Sequence, residues 1–299
     1  MDRVGRRYRR RRDVVCARLL LRGQAPGIVG GNRPEVSPLR HIAALGGLLA
    51  LTGCAYIALR PVDLSGWQQD GAGIWAVIAT DTGNDSVVQS NNDNPGVFFD
   101  PAAGGGDRLY HIKIRVDDGS DDDFIGFVLG YQAGELTGER EGAAPDFLLI
   151  DWKRADQDYM DLGVARAGLA VSRVSAPLRE SPGAWAHDPA DGVQELARAQ
   201  NLGRTGWQPG RDYVFEIRYD SNSLSIKVDG QEELALSGDF PAGALGFYNY
   251  SQPAVTYSGV AAQKVPFLPW WLIAMLLVAA LLALGAALRG TSRRRAKRP

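Results

Sequence analysis

The sequence predicts an all-β protein whose main part is one antiparallel β-sandwich over residues 61–263. Short apolar or alternating runs recur along this stretch, and no helical pattern alternates with them. The 36 glycines and 16 prolines are typical of a turn-rich β protein rather than a helical bundle. The chain has 299 residues, 45% of them hydrophobic, which is enough for one domain of about 200 residues and for membrane segments.

The first strands are predicted in the middle of the chain. Apolar residues stand at every second position of 110–116, which is the pattern of a half-buried strand. Residues 124–131 and 147–152 are continuous apolar runs, and these are typical of central strands buried on both faces.

A meander of three strands is predicted over 213–236. Its first two strands alternate apolar and polar residues, and the hairpin turns are Ser221-Asn222 and Asp229-Gly230. Residues 244–250 and 254–260 predict the closing strands, and 192–202 is the one helix candidate. A span of this length favours a two-sheet jelly roll of the concanavalin type over a small immunoglobulin-like domain.

Charge is distributed unevenly along the chain. Residues 61–264 contain 15 Lys and Arg against 31 Asp and Glu, a net charge of −16, whereas the two ends together carry +15. An acidic folded part would repel phosphates, so nucleic acid is excluded as its partner. The only two cysteines precede the acidic part, which excludes a disulfide framework or a cysteine zinc site within it.

The C-terminal end predicts a membrane segment. Residues 265–288 contain no charged side chain, and a helix over 264–288 is long enough to cross a bilayer and contact its lipid. Trp270 and Trp271 stand at its start, and a basic tail over 289–299 follows, which the positive-inside rule assigns to the cytoplasm. The same order of features resembles the processed C-terminal sorting tags of Gram-negative bacterial surface proteins, and both interpretations stay open.

The N-terminal end predicts export. Residues 1–40 form a basic region that we expect to be disordered, and the true translation start is compatible with a downstream position such as Val36. The uncharged segment that follows, within 41–60, has the length of a signal peptide or a signal anchor. Its Leu51-Thr52-Gly53-Cys54 is the pattern of a bacterial lipobox, in which Cys54 is lipidated. In each case the sandwich lies in the cell envelope, outside the cytoplasm, either periplasmic or at the cell surface.

Seven short segments of the predicted sandwich share a pattern with one family. The most specific are DDDFIGFVLGYQ at 121–132, FLLIDWK at 147–153 and LGFYNYSQ at 245–252. The others, in chain order, are 92–96, 166–169, 184–187 and 203–207. Together they resemble the thrombospondin C-terminal domain family, from about residue 64 to residue 262.

The resemblance implies a concanavalin-like sandwich, calcium as the cofactor and an adhesive role outside the cell. The chain differs from animal members of the family. It lacks their Asp-rich calcium repeats, the cysteines of their domain and an Arg-Gly-Asp sequence. Leu149-Ile150-Asp151 also replaces Val-Val-Met, so the receptor contact of animal members is not transferred. We therefore expect an exported bacterial relative whose partner is an unknown surface protein or glycan.

An acidic turn is the candidate metal site. Five carboxylates stand within seven positions, and they repel one another unless a cation or solvent screens them. They are Asp117, Asp118, Asp121, Asp122 and Asp123, and Asp93 and Asn94 of an Asn-rich turn are further candidate ligands. Calcium suits such oxygens, although an acidic run also suits a solvated loop tip. The resemblance favours calcium, with Asp121 and Asp123 predicted on one face and Asp122 on the other.

Two further sets of residues bear on functions other than metal binding. We expect His187 beside Trp185 to be structural rather than catalytic. Asp151 is either a buried functional carboxylate or a residue on the polar face of an edge strand, and the second interpretation is favoured. Exposed aromatic side chains, with Trp67, Trp207 and Tyr248 as candidates, would stack on sugar rings in a lectin-like module.

An enzyme is not expected. Glycoside hydrolases place two carboxylates about 5–9.5 Å apart, whereas an extended strand would separate Glu216 from Asp220 by about 13 Å. The acidic part also has no P-loop, no Gly-x-Ser-x-Gly and no cysteine nucleophile.

Overall fold

The computed structural model describes residues 59–102, 107–264 and Met275. In chain order the strands are β1 (Arg60–Pro61), β2 (Gln68–Gly71), β3 (Trp75–Thr80), β4 (Gly83–Gln89), β5 (Gly96–Phe99), β6 (Arg108–Val116), β7 (Phe124–Tyr131), β8 (Phe147–Lys153), β9 (Gln157–Asp158), β10 (Val164–Ala165), β11 (Gly168–Val174), β12 (Val193–Arg198), β13 (Asp212–Tyr219), β14 (Ser223–Val228), β15 (Gln231–Ser237), β16 (Ala244–Tyr250) and β17 (Val255–Lys264). Three short helices are described, α1 (Pro182–Ala186) and the 3₁₀ turns Met160–Leu162 and Pro189–Asp191.

The strands form two antiparallel sheets. The eight-stranded sheet has the order β15-β14-β13-β6-β17-β4-β3, with β1 paired to β17. The seven-stranded sheet has the order β12-β11-β8-β7-β16-β5-β2, and β9 and β10 form a separate ribbon. This architecture confirms the predicted all-β antiparallel sandwich.

The seven-stranded sheet is covered on both faces. Its inner face packs against the eight-stranded sheet, and Phe127 of β7 meets Phe215 of β13 in this main core. Its outer face carries a second apolar cluster, in which Leu136 and Trp185 belong to the segments that cover the sheet. Every residue of β7 and β8 is therefore buried, as their continuous apolar runs predict.

The predicted meander is confirmed, because β13 pairs with β14 and β14 pairs with β15. The helix predicted over 192–202 is wrong. Residues 193–198 form β12, which pairs with β11 along its free edge. The hydrogen-bonding groups of that edge outweigh the helical propensity of the segment, a common result when tertiary pairing is available.

No helix within the described part of the chain is long and apolar enough to span a membrane. The basic region 1–40, the segment 41–60 with Cys54, the helix over 264–288 and the tail over 289–299 lie outside the described residues. The exceptions are their residues Leu59, Arg60, Lys264 and Met275.

Candidate functional site

The ends of three adjacent strands lie together at one end of the seven-stranded sheet. Because neighbouring strands are antiparallel, β7 and β5 begin where the intervening β16 ends. Phe124 lies opposite Tyr250, and Asn249 lies opposite Gly96. The acidic turn before β7 and the Asn-rich turn before β5 are thereby brought to the same end of the sandwich, as expected if both contribute ligands.

A cleft of about 420 Å³ opens at this end of the sheet. Its lining residues are Asn92, Asp93, Asn94, Asp121, Asp123, Gln157, Tyr159, Glu180, Trp185, Tyr250 and Ser251. Carboxylates and amides thus face aromatic rings across one space. A second cleft of about 450 Å³ shares Asn94 and Glu180 with it, so the two form neighbouring parts of one surface.

The acidic turn is held by hydrogen bonds from distant parts of the chain. The Arg154 guanidinium donates to the carbonyl oxygens of Gly119 and Asp121, at 2.8 and 3.3 Å. The Trp207 indole donates to the carbonyl of Asp123 at 3.0 Å, and the Gln252 side chain accepts from its N–H at 3.1 Å. These contacts fix the backbone from which the carboxylates project.

A buried ammonium group lies among these carboxylates. Nζ of Lys153, a side chain only 1% exposed, is 2.5 Å from Oδ1 of Asp123 and 3.0 Å from Oδ1 of Asp122. It also donates to Gln157 at 2.8 Å and lies 4.8 Å from the centre of a Trp185 ring. A buried charge needs such partners, so Lys153 already balances part of the negative charge of the turn.

The environment of Asp123 shows the competition between burial and this ion pair. Burial raises the pKa of the Asp123 carboxyl to about 6, although the hydrogen bond and charge of Lys153 act to lower it. The nearby Asp121 charge raises it further. Asp123 therefore holds its proton more tightly than an exposed aspartate does.

The other predicted ligands divide into two groups. Asp93 and Asn94 line the cleft with Asp121 and Asp123, whereas Asp122 is not among the lining residues. Asp117 instead forms an ion pair with Arg115, and Asp118 accepts hydrogen bonds from Ser120. The structure therefore brings four of the seven candidates into the cleft.

The carboxylate and amide oxygens of the two turns are the kinds of ligand that calcium binds. Oxygens of Asp121, Asp122 and Asp123 lie within 4.8 Å of one another. Calcium takes about 6–8 oxygen ligands, which carboxylates, amides and water supply. Because Lys153 pairs with Asp122 and Asp123, the residues that would hold an added cation are Asp93, Asn94 and Asp121.

Asp151 is not on the face of an edge strand, so that prediction is wrong. Its strand, β8, lies between β7 and β11, and the residue is 1% exposed. Its carboxylate is 2.7 Å from Nε2 of His187, whose Nδ1 is 3.3 Å from Glu195. The covering segment around α1 buries what a free sheet face would leave exposed.

His187 links α1 to the sheet as a charged group. Burial alone would lower the pKa of the imidazole, but the charge and hydrogen bond of Asp151, together with Glu195, raise it to about 9. His187 is therefore an imidazolium at neutral pH, held between two carboxylates.

Two of the three aromatic residues predicted for sugar stacking are inside the protein, and the third, Trp67, is half-buried. Trp207 and Tyr248 are fully buried, and Trp67 packs against Phe98 and Phe247. That part of the prediction is wrong, because the second core on the outer face of the sheet encloses Tyr248 and the main core encloses Trp207. The rings at the cleft are instead Tyr159, Trp185 and Tyr250.

Lys153 and Glu180 are site residues that the sequence analysis missed. A signal for Lys153 was available, because Asp151 and Lys153 share one face of an otherwise apolar strand and must be paired if that face is buried. No comparable signal marks Glu180, which lies in irregular chain before α1.

Comparison with known proteins gives a family match. The model of the thrombospondin C-terminal region matches residues 72–264. Thrombospondin-3b of Danio rerio is 24% identical over 191 residues, which is 58% of this chain and 19% of that protein. Thrombospondin-4 of Bos taurus is 24% identical over 196 residues, 58% of this chain and 18% of that protein. The chain thus spans about a fifth of the length of these curated relatives.

A solved structure with a similar fold is the carbohydrate binding module CBM66 from Bacillus subtilis. It is 13% identical, with a TM-score of 0.45 over 66% of this chain and 95% of that chain.

Proposed function

Because the chain belongs to the thrombospondin C-terminal region family, we propose that it is a calcium-binding recognition module anchored in a cell-envelope membrane. The sandwich lies outside the cytoplasm, periplasmic or at the cell surface of a bacterium, and binds a surface protein or a glycan. The observation that carries this proposal is the cleft, in which acidic and amide oxygens face three aromatic rings.

Calcium would act as a structural ion in this function. Bound by Asp93, Asn94 and Asp121, it would supply the positive charge that joins the turns before β5 and β7. The aromatic wall would then be presented to the partner in one fixed arrangement. Preorganisation of this kind lowers the entropy cost of association.

Thermal unfolding of the chain with calcium and with excess chelator tests the metal. A site filled at 100 times its dissociation constant adds about 2.7 kcal/mol, which raises the melting temperature of a domain of about 200 residues by several degrees. Asp121→Asn should remove the shift, whereas Asp239→Asn, at an exposed position outside the cleft, should keep it. An unchanged melting temperature, with no calcium found by elemental analysis, would refute the proposal.

A lectin-like carbohydrate-binding module is the second candidate. Tyr159 lines the cleft, is 36% exposed and lies 5.4 Å from Trp185 between ring centres. An exposed ring beside carboxylates is an arrangement that stacks on a sugar and accepts its hydroxyl hydrogen bonds. Glycan-array binding that is lost in Tyr159→Ala, but kept in Met160→Ala outside the cleft, would support this candidate. Silence across glycans with binding to a protein would exclude it.

We propose no catalytic activity for the module. The hydrolase alternative would rely on Glu216, which lies in the middle of β13 and lines neither cleft. Any hydrolysis of glycosides by the chain would refute this. Loss of that turnover in Glu216→Gln would assign it to Glu216, and its survival would assign it to other residues.

A further inference from the structure

The eight-stranded sheet ends in an unprotected edge at β3. Within the described residues, β3 pairs with β4 alone and is the last strand in the order of that sheet. Its six residues, Trp75–Thr80, carry no charge. Edge strands are normally charged, very short or covered, because their free N–H and C=O groups otherwise pair with another chain.

The other three strands that end the two sheet orders have such protection. At β15, the carbonyl of Glu233 accepts a hydrogen bond from the backbone of Gln200 at 2.8 Å, so the chain near residue 200 covers that strand. The edge strand β12 carries Glu195 and Arg198, which form an ion pair at 2.9 Å. The edge strand β2 contains only 4 residues. Of these four strands, β3 is therefore the one open to pairing.

The pairing with β4 shows which backbone groups of β3 are free. Ser90 donates to the carbonyl of Ile74 at 3.1 Å, and Trp75 lies opposite Gln89 in the adjacent pair. Hydrogen-bonded and non-hydrogen-bonded pairs alternate along an antiparallel ladder. The N–H and C=O groups of Trp75 and Val77 therefore point away from β4, towards the free side of the strand.

The side chains add an exposed apolar face to this edge. Trp75 and Val77 pack against the main core, so the residues that alternate with them lie on the outer face of the sheet. There Ile74 is 59% exposed and Ile78 is 43% exposed, with exposed Ala76 between them. An uncharged edge strand with exposed aliphatic side chains has the features of a pairing surface.

We propose that β3 pairs antiparallel with β3 of a second copy of this chain, about a two-fold axis at Val77. In this register, Val77 of one copy lies opposite Val77 of the other, and the outward backbone groups of the two strands bond to each other. Ile78 of each copy lies opposite Ala76 of the other. A large side chain thus meets a small one on the outer face, in both directions.

Charge favours this register for a second copy. Residues 61–264 have a net charge of −16, so acidic surfaces of two copies would repel each other. At β3, however, the first carboxylate after the strand, Asp81, would lie opposite Gly73 and not opposite another carboxylate. Because each copy offers one such strand in the part of the chain that the structure describes, the two-fold pairing closes at two copies.

The oligomeric state of the full chain tests this proposal. The chain is purified in a nonionic detergent with excess chelator, so the result does not depend on a calcium site, and its protein mass is measured by light scattering. We expect twice the 32.3 kDa of one chain. Ile78→Lys places a charge on the paired strand and should halve this mass. Leu196→Lys is the matched control, because Leu196 is 39% exposed on the edge strand β12, and it should leave the pair intact.

Val77→Pro is the second variant. It removes an N–H that faces the free side and no hydrogen bond to β4, so the sandwich should keep its melting temperature while the mass is halved. A native chain with the mass of one copy would overturn the proposal. So would a double mass that survives both β3 variants, or one that is lost equally in Leu196→Lys.

Photochemical cross-linking identifies the occupant without disturbing the pair. Benzoylphenylalanine replaces Ile74, which is exposed and would lie opposite Thr80 of the second copy. A second, tagged chain without this residue is expressed in the same cells. We expect cross-links from position 74 to the β3–β4 hairpin of the tagged chain. Cross-links only within one copy or to a different protein, or none at all, would contradict the pairing.

Discussion

Replacing Lys153 with methionine removes the ammonium group that pairs with Asp122 and Asp123 while keeping about the same side-chain volume. In the native chain, Nζ of Lys153 contacts Asp122, Asp123 and Gln157 at 2.5–3.0 Å. In the variant, the carboxylates of the turn would face one another with no protein cation between them. We expect Lys153→Met to be strongly destabilising without metal and to depend on calcium for stability.

The magnitude follows from burial. Removing one partner of a buried ion pair costs about 3–5 kcal/mol, because an uncompensated charge remains. Asp123 is 6% exposed in its side chain, but Asp122 is 33% exposed and is partly screened by water, so we expect the lower end of that range. At about 2–4 °C per kcal/mol, the melting temperature should fall by about 6–12 °C. Calcium at 100 times the dissociation constant of the variant would restore about 2.7 kcal/mol of the lost free energy of unfolding.

The assay is urea unfolding followed by tryptophan fluorescence, with chelator and with calcium. Lys227→Met is the matched control, since Lys227 is exposed on β14 and its replacement should change the free energy of unfolding by less than about 0.5 kcal/mol. If Lys153→Met loses no more stability than the control in chelator, the ammonium does not balance the turn. If calcium stabilises the variant no more than the native chain, Asp122 and Asp123 do not become calcium ligands when Lys153 is removed.

Two further predictions concern the rest of the sandwich. The pKa of His187 is raised to about 9 from 6.5. The ion pairs of the charged imidazole therefore contribute their full stabilising free energy below pH 6.5, and this free energy is lost as the pH rises through about 9. The free energy of unfolding should fall by about 3 kcal/mol over this window, and His187→Asn should flatten the pH profile; a profile unchanged in the variant would show that this imidazole is not the titrating group. A Cβ at Gly206 would lie 1.8 Å from the Arg154 carbonyl oxygen, so Gly206→Ala should cost about 1–3 kcal/mol in urea unfolding. Gly66→Ala has open space and should be nearly neutral, and equal losses in the two variants would contradict the packing argument.

Local pattern alone predicted most of the strands and part of the site. Alternation over 110–116 and in the first two strands of the 213–236 meander matches β6, β13 and β14. The apolar runs at 124–131 and 147–152 match β7 and β8. These signals are local because neighbouring side chains in a strand point to opposite faces. Asp93 and Asn94 were also named as candidate ligands together with Asp121, and the antiparallel pairing of β5, β16 and β7 brings the two turns to one cleft.

Only the tertiary structure decided which polar side chains are buried and which partners they have. The edge-strand interpretation was favoured for Asp151 over a buried one, and 192–202 was expected to be helical, because neither local sequence shows what packs on it. The segment around α1 covers the outer face of the sheet, encloses Asp151 with His187, and places Trp185 over Lys153. β11 supplies the edge that makes 193–198 a strand. Burial depends on residues distant in sequence, and burial sets the charge pairing and pKa values of this site.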